Sequence, residues 1–203
     1  SYLELAYALG ISSKDAKRAY ASALDAQEAH DAACAKKQAE TFKLLKEYDK
    51  VASKAPDGAL DDAPVPILLV SHPYIAHDDH ILKEMIESME ELGACVIFAD
   101  ETDKKAALKA SFEFSETLPW LINRELVGSI LMNFDKVEGI VLVSAFPCGP
   151  DSMFSDTIMR SVKGKPILNI MIDGLSGSAG LQTRIESFMD ILKYKGKGGY
   201  LDG

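Results

Sequence analysis

From residue 66 onward the chain alternates, four times over, between a short apolar run and a segment with helical spacing, and few folds accept that alternation. Ile67-Leu-Leu-Val70, Cys95-Val-Ile-Phe-Ala99, Gly139-Ile-Val-Leu-Val-Ser-Ala145 and Pro166-Ile-Leu-Asn-Ile-Met-Ile172 are the strand candidates. Continuous apolar, β-branched runs of this kind suit a parallel sheet buried on both faces. Between them, His80 to Leu92 carries Ile81, Leu82, Met85, Ile86, Met89 and Leu92 at helical spacing and stops at Gly93. Further helices are expected over about Pro119 to Phe134, over Asp151 to Val162 with Asp151 or Ser152 opening it, and over Leu181 to Tyr194. Residues 100–118 read as a less regular passage.

Strands alternating with helices give right-handed crossovers and helices on both faces of the sheet. The expected fold is α/β, a three-layer flavodoxin- or Rossmann-like domain with a four-stranded parallel sheet in the order 2-1-3-4, preceded by an N-terminal helical arm. Residues 1–58 form that arm or hairpin. They are rich in Ala and Lys, and Gly10 is the only glycine before Gly58. Ser12 or Ser13 can cap the helix after Gly10, with Asp15 in its first turn. The stretch Leu5–Tyr20 superficially resembles a helix-turn-helix, but it shows no basic face. Ala55-Pro-Asp-Gly58 and Asp61-Asp-Ala-Pro-Val-Pro66 mark a boundary. Residues 64–195 are then the α/β domain and 196–203 a flexible, glycine-rich tail.

Charge narrows the partners. Of 31 acids and 22 bases in the 203 residues, nine of each fall in residues 1–60, so the whole net charge of −9 belongs to the remainder. An acidic domain with pI near 4.9 is a poor match for a phosphate backbone, and no nucleic-acid partner is expected. No apolar run approaches the roughly 20 residues that span a bilayer, so no membrane partner is expected either. Three widely spaced cysteines and the lack of a basic-then-apolar leader point to a cytoplasmic setting. The start at Ser1 without Met suggests a piece of a longer protein.

In an open parallel sheet the loops after strands one, three and four meet at the carboxyl edge, where such folds bind ligands. Three polar clusters converge there: Ser71-His72-Pro73-Tyr74, then Cys148-Gly149-Pro150-Asp151-Ser152, then Asp173-Gly-Leu-Ser-Gly177-Ser-Ala-Gly180 with Thr183, Arg184 and Glu186. Cys148 follows strand three directly. A thiolate is the form that binds metal, and a helix N-terminus favours negative charge. Iron–sulfur clusters use such thiolates, though Cys34 and Cys95 sit elsewhere and one chain does not supply four. His72, held extended by Pro73, points to the same edge. His77 and His80 are spaced like a metal pair, but a solvated turn capped by Asp78 or Asp79 explains them as well. The small residues of Asp173–Gly180 can turn backbone N–H groups to an anion, without the spacing of a Walker loop. Arg184 and Glu186 read as a structural salt link. A Cys148–His72–Asp173 nucleophile arrangement is conceivable, yet no enzyme pattern surrounds it.

Four motifs recur in order: His72-Pro-Tyr74, Leu118-Pro-Trp120, Phe146-Pro-Cys-Gly-Pro-Asp151 and Ala179-Gly-Leu-Gln-Thr-Arg-Ile-Glu-Ser-Phe188. On these, residues 66–193 resemble the C-terminal domain of proteins related to the activases of 2-hydroxyacyl-CoA dehydratases. More distantly they resemble the iron–sulfur 2-hydroxyglutaryl-CoA dehydratase D-component family. The resemblance implies a module of a CoA-substrate-specific activase system, with Cys148 as one ligand of a [4Fe–4S] cluster whose other ligands lie outside this chain. It implies ATP bound by the parent protein rather than here. Its partners would be other domains of the parent, a dehydratase-like protein or a second copy of the chain. Two departures stand out: Asp173–Gly180 has no cysteine, and Gly174 stands where a related pattern has an acid. The alternative is an α/β binding domain for acyl-CoA, a nucleotide or a protein, without redox chemistry.

Overall fold

A computed structural model of the chain describes residues 1–52, 63–146, 148–172 and 178–194. The described residues form a four-stranded, all-parallel sheet in the order β2-β1-β3-β4, with β1 Val65–Ser71, β2 Ala94–Phe98, β3 Gly139–Ser144 and β4 Ile167–Met171. This is the expected α/β architecture and strand order. Because side chains alternate along a strand, β1 and β3 feed two cores. Ile67, Leu69, Val141 and Val143 face α4 (Lys83–Glu91) and α8 (Ser178–Tyr194), packing on Met85, Met89, Ile185, Phe188 and Leu192. Leu68, Val70, Ile140 and Leu142 face α6 (Leu121–Asn133) and α7 (Gly149–Ser161), packing on Leu126, Val127, Ile130, Phe154 and Ile158.

The amino-terminal residues are helical. A seven-residue helix, α1 Tyr2–Ala8, turns at Gly10, whose φ of 70° suits glycine, into α2 Ser13–Ala52. Ser12 caps α2, its Oγ accepting the Asp15 N–H at 3.1 Å. The 40 residues of α2 extend about 60 Å. Only Ala16, Gln38 and Phe42 on it are buried. Phe42 joins the second core, and the Gln38 amide donates to the Phe98 carbonyl at 2.9 Å and accepts from the Thr102 hydroxyl at 3.1 Å. Of the expected boundary, residues 55–62 lie outside the described residues, as does the tail 196–203, while Val65 and Pro66 of the expected linker already belong to β1.

Residues 100–118 are more regular than their sequence suggests. They hold α5 Lys104–Phe114, opened by Asp103, whose carboxylate accepts the Ala106 N–H at 2.8 Å. The inward face of α5 is built of small residues, Ala107 and Ser111, so apolar periodicity is faint. The helix lies so close to α6 that a Cβ at Gly128 would sit 1.7 Å from the Ala107 carbonyl oxygen. α7 also begins earlier than Asp151, at Gly149, because Cys148 is its N-cap and Pro150 fits the first turn.

Candidate functional site

The ladder registers bring three strand ends to one edge: Ser71 pairs with Val143, and Ser144 with Met171. The Ser71 hydroxyl donates to the Val143 carbonyl at 2.9 Å and ties β1 to β3 where they end. The chain leaves β1 through His72, extended at φ −63° and ψ 142°, because Pro73 cannot follow a helical residue easily and itself opens the short α3 Pro73–Ala76. It leaves β3 through Phe146 and Cys148 into α7.

These turns put His72, Tyr74, Cys148 and Asp151 together. His72 Nε2 lies 2.9 Å from Asp151 Oδ1, with both side chains largely buried. Cys148 Sγ accepts the Asp151 backbone N–H at 3.4 Å, so the sulfur caps the helix that carries the carboxylate. The Tyr74 ring tilts against the His72 imidazole with centroids 5.6 Å apart. Burial, then the charges of Asp151 and Cys148, push the Tyr74 phenol up from its ordinary value. The arrangement is a half-buried thiol, a carboxylate–imidazole pair and a phenol at the carboxyl edge. It can bind a cationic or metal centre at sulfur, or position a partner through its polar atoms.

The other expected residues divide. Gly149 is the first residue of α7, with open space where a Cβ would stand, and the Ser152 N–H simply bonds the Cys148 carbonyl at 3.0 Å. Gly180 is exposed within α8 and also faces open space. The Thr183 carbonyl accepts the Ser187 hydroxyl at 2.8 Å. Arg184 does not pair with Glu186; its Nη2 donates to the Asn169 carbonyl of β4 at 2.5 Å, while Glu186 accepts from Gln182. Asp173 and Gly177 lie outside the described residues.

Sequence reasoning missed a second carboxylate–imidazole pair on the other side of β1. His77 Nε2 lies 2.8 Å from Asp100 Oδ2, beside a cavity of about 240 Å³ lined by Ala76, His77, Asp78, Lys83, Glu87 and Phe98 among others. The Asp100 Oδ1 atom is buried with no hydrogen-bond partner among the described residues. His77 thus pairs with Asp100, and Asp78 Oδ1 caps the turn by accepting the His80 and Ile81 N–H groups at 2.9 and 3.0 Å. An aspartate two residues past a strand end was the available signal.

Rims differ as well. Tyr74 after β1, Phe146 and Met153 on either side of the Cys148 turn, and Met171 at the end of β4 are exposed. Among the described residues no group of three or more His, Cys, Asp or Glu is arranged to hold a metal ion. No helix of the described residues is long and apolar enough to cross a membrane.

Residues 1–101 match the family described as the CoA enzyme activase uncharacterised domain. That stretch runs through both arm helices, β1, α3, α4 and β2, and includes His72, Pro73 and Tyr74, while Cys148 and Asp151 follow it. No curated protein and no solved structure matches the chain.

Proposed function

Because residues 1–101 match the CoA enzyme activase uncharacterised domain, we propose that the chain is a docking module of an activase system, with the carboxyl edge around Cys148 as its partner-facing surface. The observation that carries this reading is the combination at that edge: exposed Tyr74, Phe146, Met153 and Met171 on the segments that carry a half-buried thiol and a largely buried His72–Asp151 pair, or on the adjoining end of β4. Large apolar side chains around fixed polar groups are what a protein interface presents. The partner is another domain of a longer parent or a dehydratase-like protein acting on CoA substrates.

At this edge Cys148 offers one thiolate to a [4Fe–4S] cluster. The described donors do not fit a complete cluster: Cys95 pairs with Pro66 at the amino end of the sheet, about 16 Å along the strands from Ser71, and Cys34 lies on α2. The three further ligands belong to the partner, and this chain's contribution is to present one sulfur in a fixed orientation. His72 and Asp151 hold the first turn of α7, and with it the sulfur, against the end of β1.

Anaerobic reconstitution of the protein with iron and sulfide, in the presence of its partner, tests the reading. Cys148→Ser is expected to lower the iron and sulfide bound and to bleach cluster absorbance. Unchanged cluster content in Cys148→Ser, with normal folding, sinks the ligand role. Tyr74→Ala and Phe146→Ala that leave partner affinity untouched sink the docking role.

A further inference from the structure

The helical hairpin at the amino terminus carries an apolar face of its own, far in sequence from the Cys148 edge and independent of how that edge is read. Ala6 of α1 and Ala16 of α2 are the small buried residues that let the two helices close on each other. Tyr2 stacks on Tyr20 with centroids 4.4 Å apart and planes 5° from parallel. Tyr2 and Leu5 of α1 and Leu9, the residue that caps it, recur at i, i+3 and i+7, so they lie on one side of the helix and its last turn. Tyr20 and Leu24 are four apart and share one side of α2. The ring stack joins the two sides into a single face, and none of these five residues is charged.

The face is open. Tyr2 is 41% exposed, Leu5 62%, Leu9 65%, Tyr20 47% and Leu24 48%. Side chains of about 200 Å² each at those exposures leave roughly 500 Å² of apolar surface in water. A standard interface buries about 800 Å² per partner, about 65% of it apolar in homodimers, which again is roughly 500 Å². The match in size is to a dimer of this face with itself. Charge favours the same occupant. Residues 1–60 balance nine acids against nine bases, whereas the rest of the chain carries −9. Two arms meet without net repulsion, while two bodies repel. Antiparallel helical hairpins with one apolar side close into four-helix bundles when two such sides meet.

We infer that the α1–α2 hairpin is a self-association element: two copies of the chain pair through Tyr2, Leu5, Leu9, Tyr20 and Leu24 to form a four-helix bundle. The contact is isologous, so the two bodies project from the bundle related by a two-fold axis.

Sedimentation equilibrium of the 203-residue chain at micromolar concentration reads this directly. The expected mass is twice the 22.1 kDa of one chain. Leu5→Glu and Leu24→Glu, separately and together, are expected to return it to 22.1 kDa, since each puts a charge into a closing apolar seam. Circular dichroism and the melting curve of each variant establish that the helices and body persist. Leu44→Glu, at an exposed position nearer the other end of α2, is expected to leave the doubled mass unchanged. A wild-type mass of one chain overturns the inference. So does a doubled mass in folded Leu5→Glu/Leu24→Glu, or dissociation by Leu44→Glu alone.

Discussion

Across the sheet, Ile67 and Leu69 on one face and Leu68 and Val70 on the other are shut from water by helices on both sides. The long helix α2 meets that body differently, through two apolar side chains, Phe42 and the partly buried Leu45, and a set of polar bonds. Phe42 enters the core, with the Lys136 ammonium 5.1 Å from its ring centroid, and Gln38 bonds both Phe98 and Thr102. Thr102 continues to the Ser129 hydroxyl at 2.6 Å and the Asn133 amide at 3.0 Å. Toward its other end α2 pairs Asp31 with Lys104 at 2.7 Å and Glu28 with Lys105 at 3.3 Å. Apolar burial is large and tolerant of direction, whereas hydrogen bonds are modest but fix one geometry. The body is therefore held mainly by quantity and the arm mainly by specification.

The strongest blow to the body and not the arm is a side chain at Gly128. Gly128→Val forces α5 and α6 apart, since even a Cβ meets the Ala107 carbonyl at 1.7 Å, and a loss of about 3 kcal/mol and roughly 10 °C in Tm is expected. A calorimetric Tm within about 2 °C of wild type would show that the two helices are free to separate. Next comes the arm's own fastener. Gln38→Leu leaves the Phe98 carbonyl short of a donor and the Thr102 network without its acceptor, for about 2 kcal/mol. Hydrogen exchange should quicken in α2 and stay slow in β1 and β3; quickening in all three alike would merge arm and body into one unit.

A smaller change strikes the element that serves both regions. Asp103→Ala removes the cap of α5, which packs on α6 and pairs with α2, and about 1 kcal/mol of stability is expected to go. Denaturant titration with an unchanged midpoint would mean that the cap is redundant. The smallest effect is that of acid on the arm. Burial pushes the Asp31 carboxyl up, but hydrogen bonds from Lys104 and Gln27 and the Lys104 charge outweigh it and hold the group below its ordinary range. The folded state thus favours the ionised form. That gain is complete above the ordinary carboxylate range and fades as pH falls through the lowered folded value. Asp31→Asn should accordingly melt below wild type at neutral pH and converge with it in acid. Parallel melting curves at every pH would remove Asp31 from the arm's attachment.

The strands were legible because burial on both faces leaves runs such as Ile67–Val70 and Gly139–Ser144 with hardly a polar residue. The meeting of His72 with the Cys148 turn was legible for a topological reason, since parallel strands must end on one side. What escaped was written in small residues. Ala107, Ser111 and Gly128 give no apolar stripe, so the α5–α6 contact is visible only once two backbones approach. Asp103 ahead of Lys104-Lys-Ala-Ala107 was the cue for that helix. The site's pairing partner, Asp151, was visible as a residue but not as a bond, because the sequence assigned it to capping α7 and the sulfur took that place instead. Arg184 was misassigned for a related reason: a neighbour in sequence, Glu186, was preferred to a carbonyl fifteen residues away.

That sulfur, standing where helices usually place a hydroxyl, makes the choice of replacement residue informative in itself. Serine is among the favoured residues at the position and restores an acceptor for the Asp151 amide, so it removes only what is peculiar to a thiol. Alanine removes the acceptor too and loosens the turn that sets Asp151 against His72. A phenotype shared by both variants belongs to sulfur chemistry; one seen with alanine alone belongs to the orientation of the carboxylate.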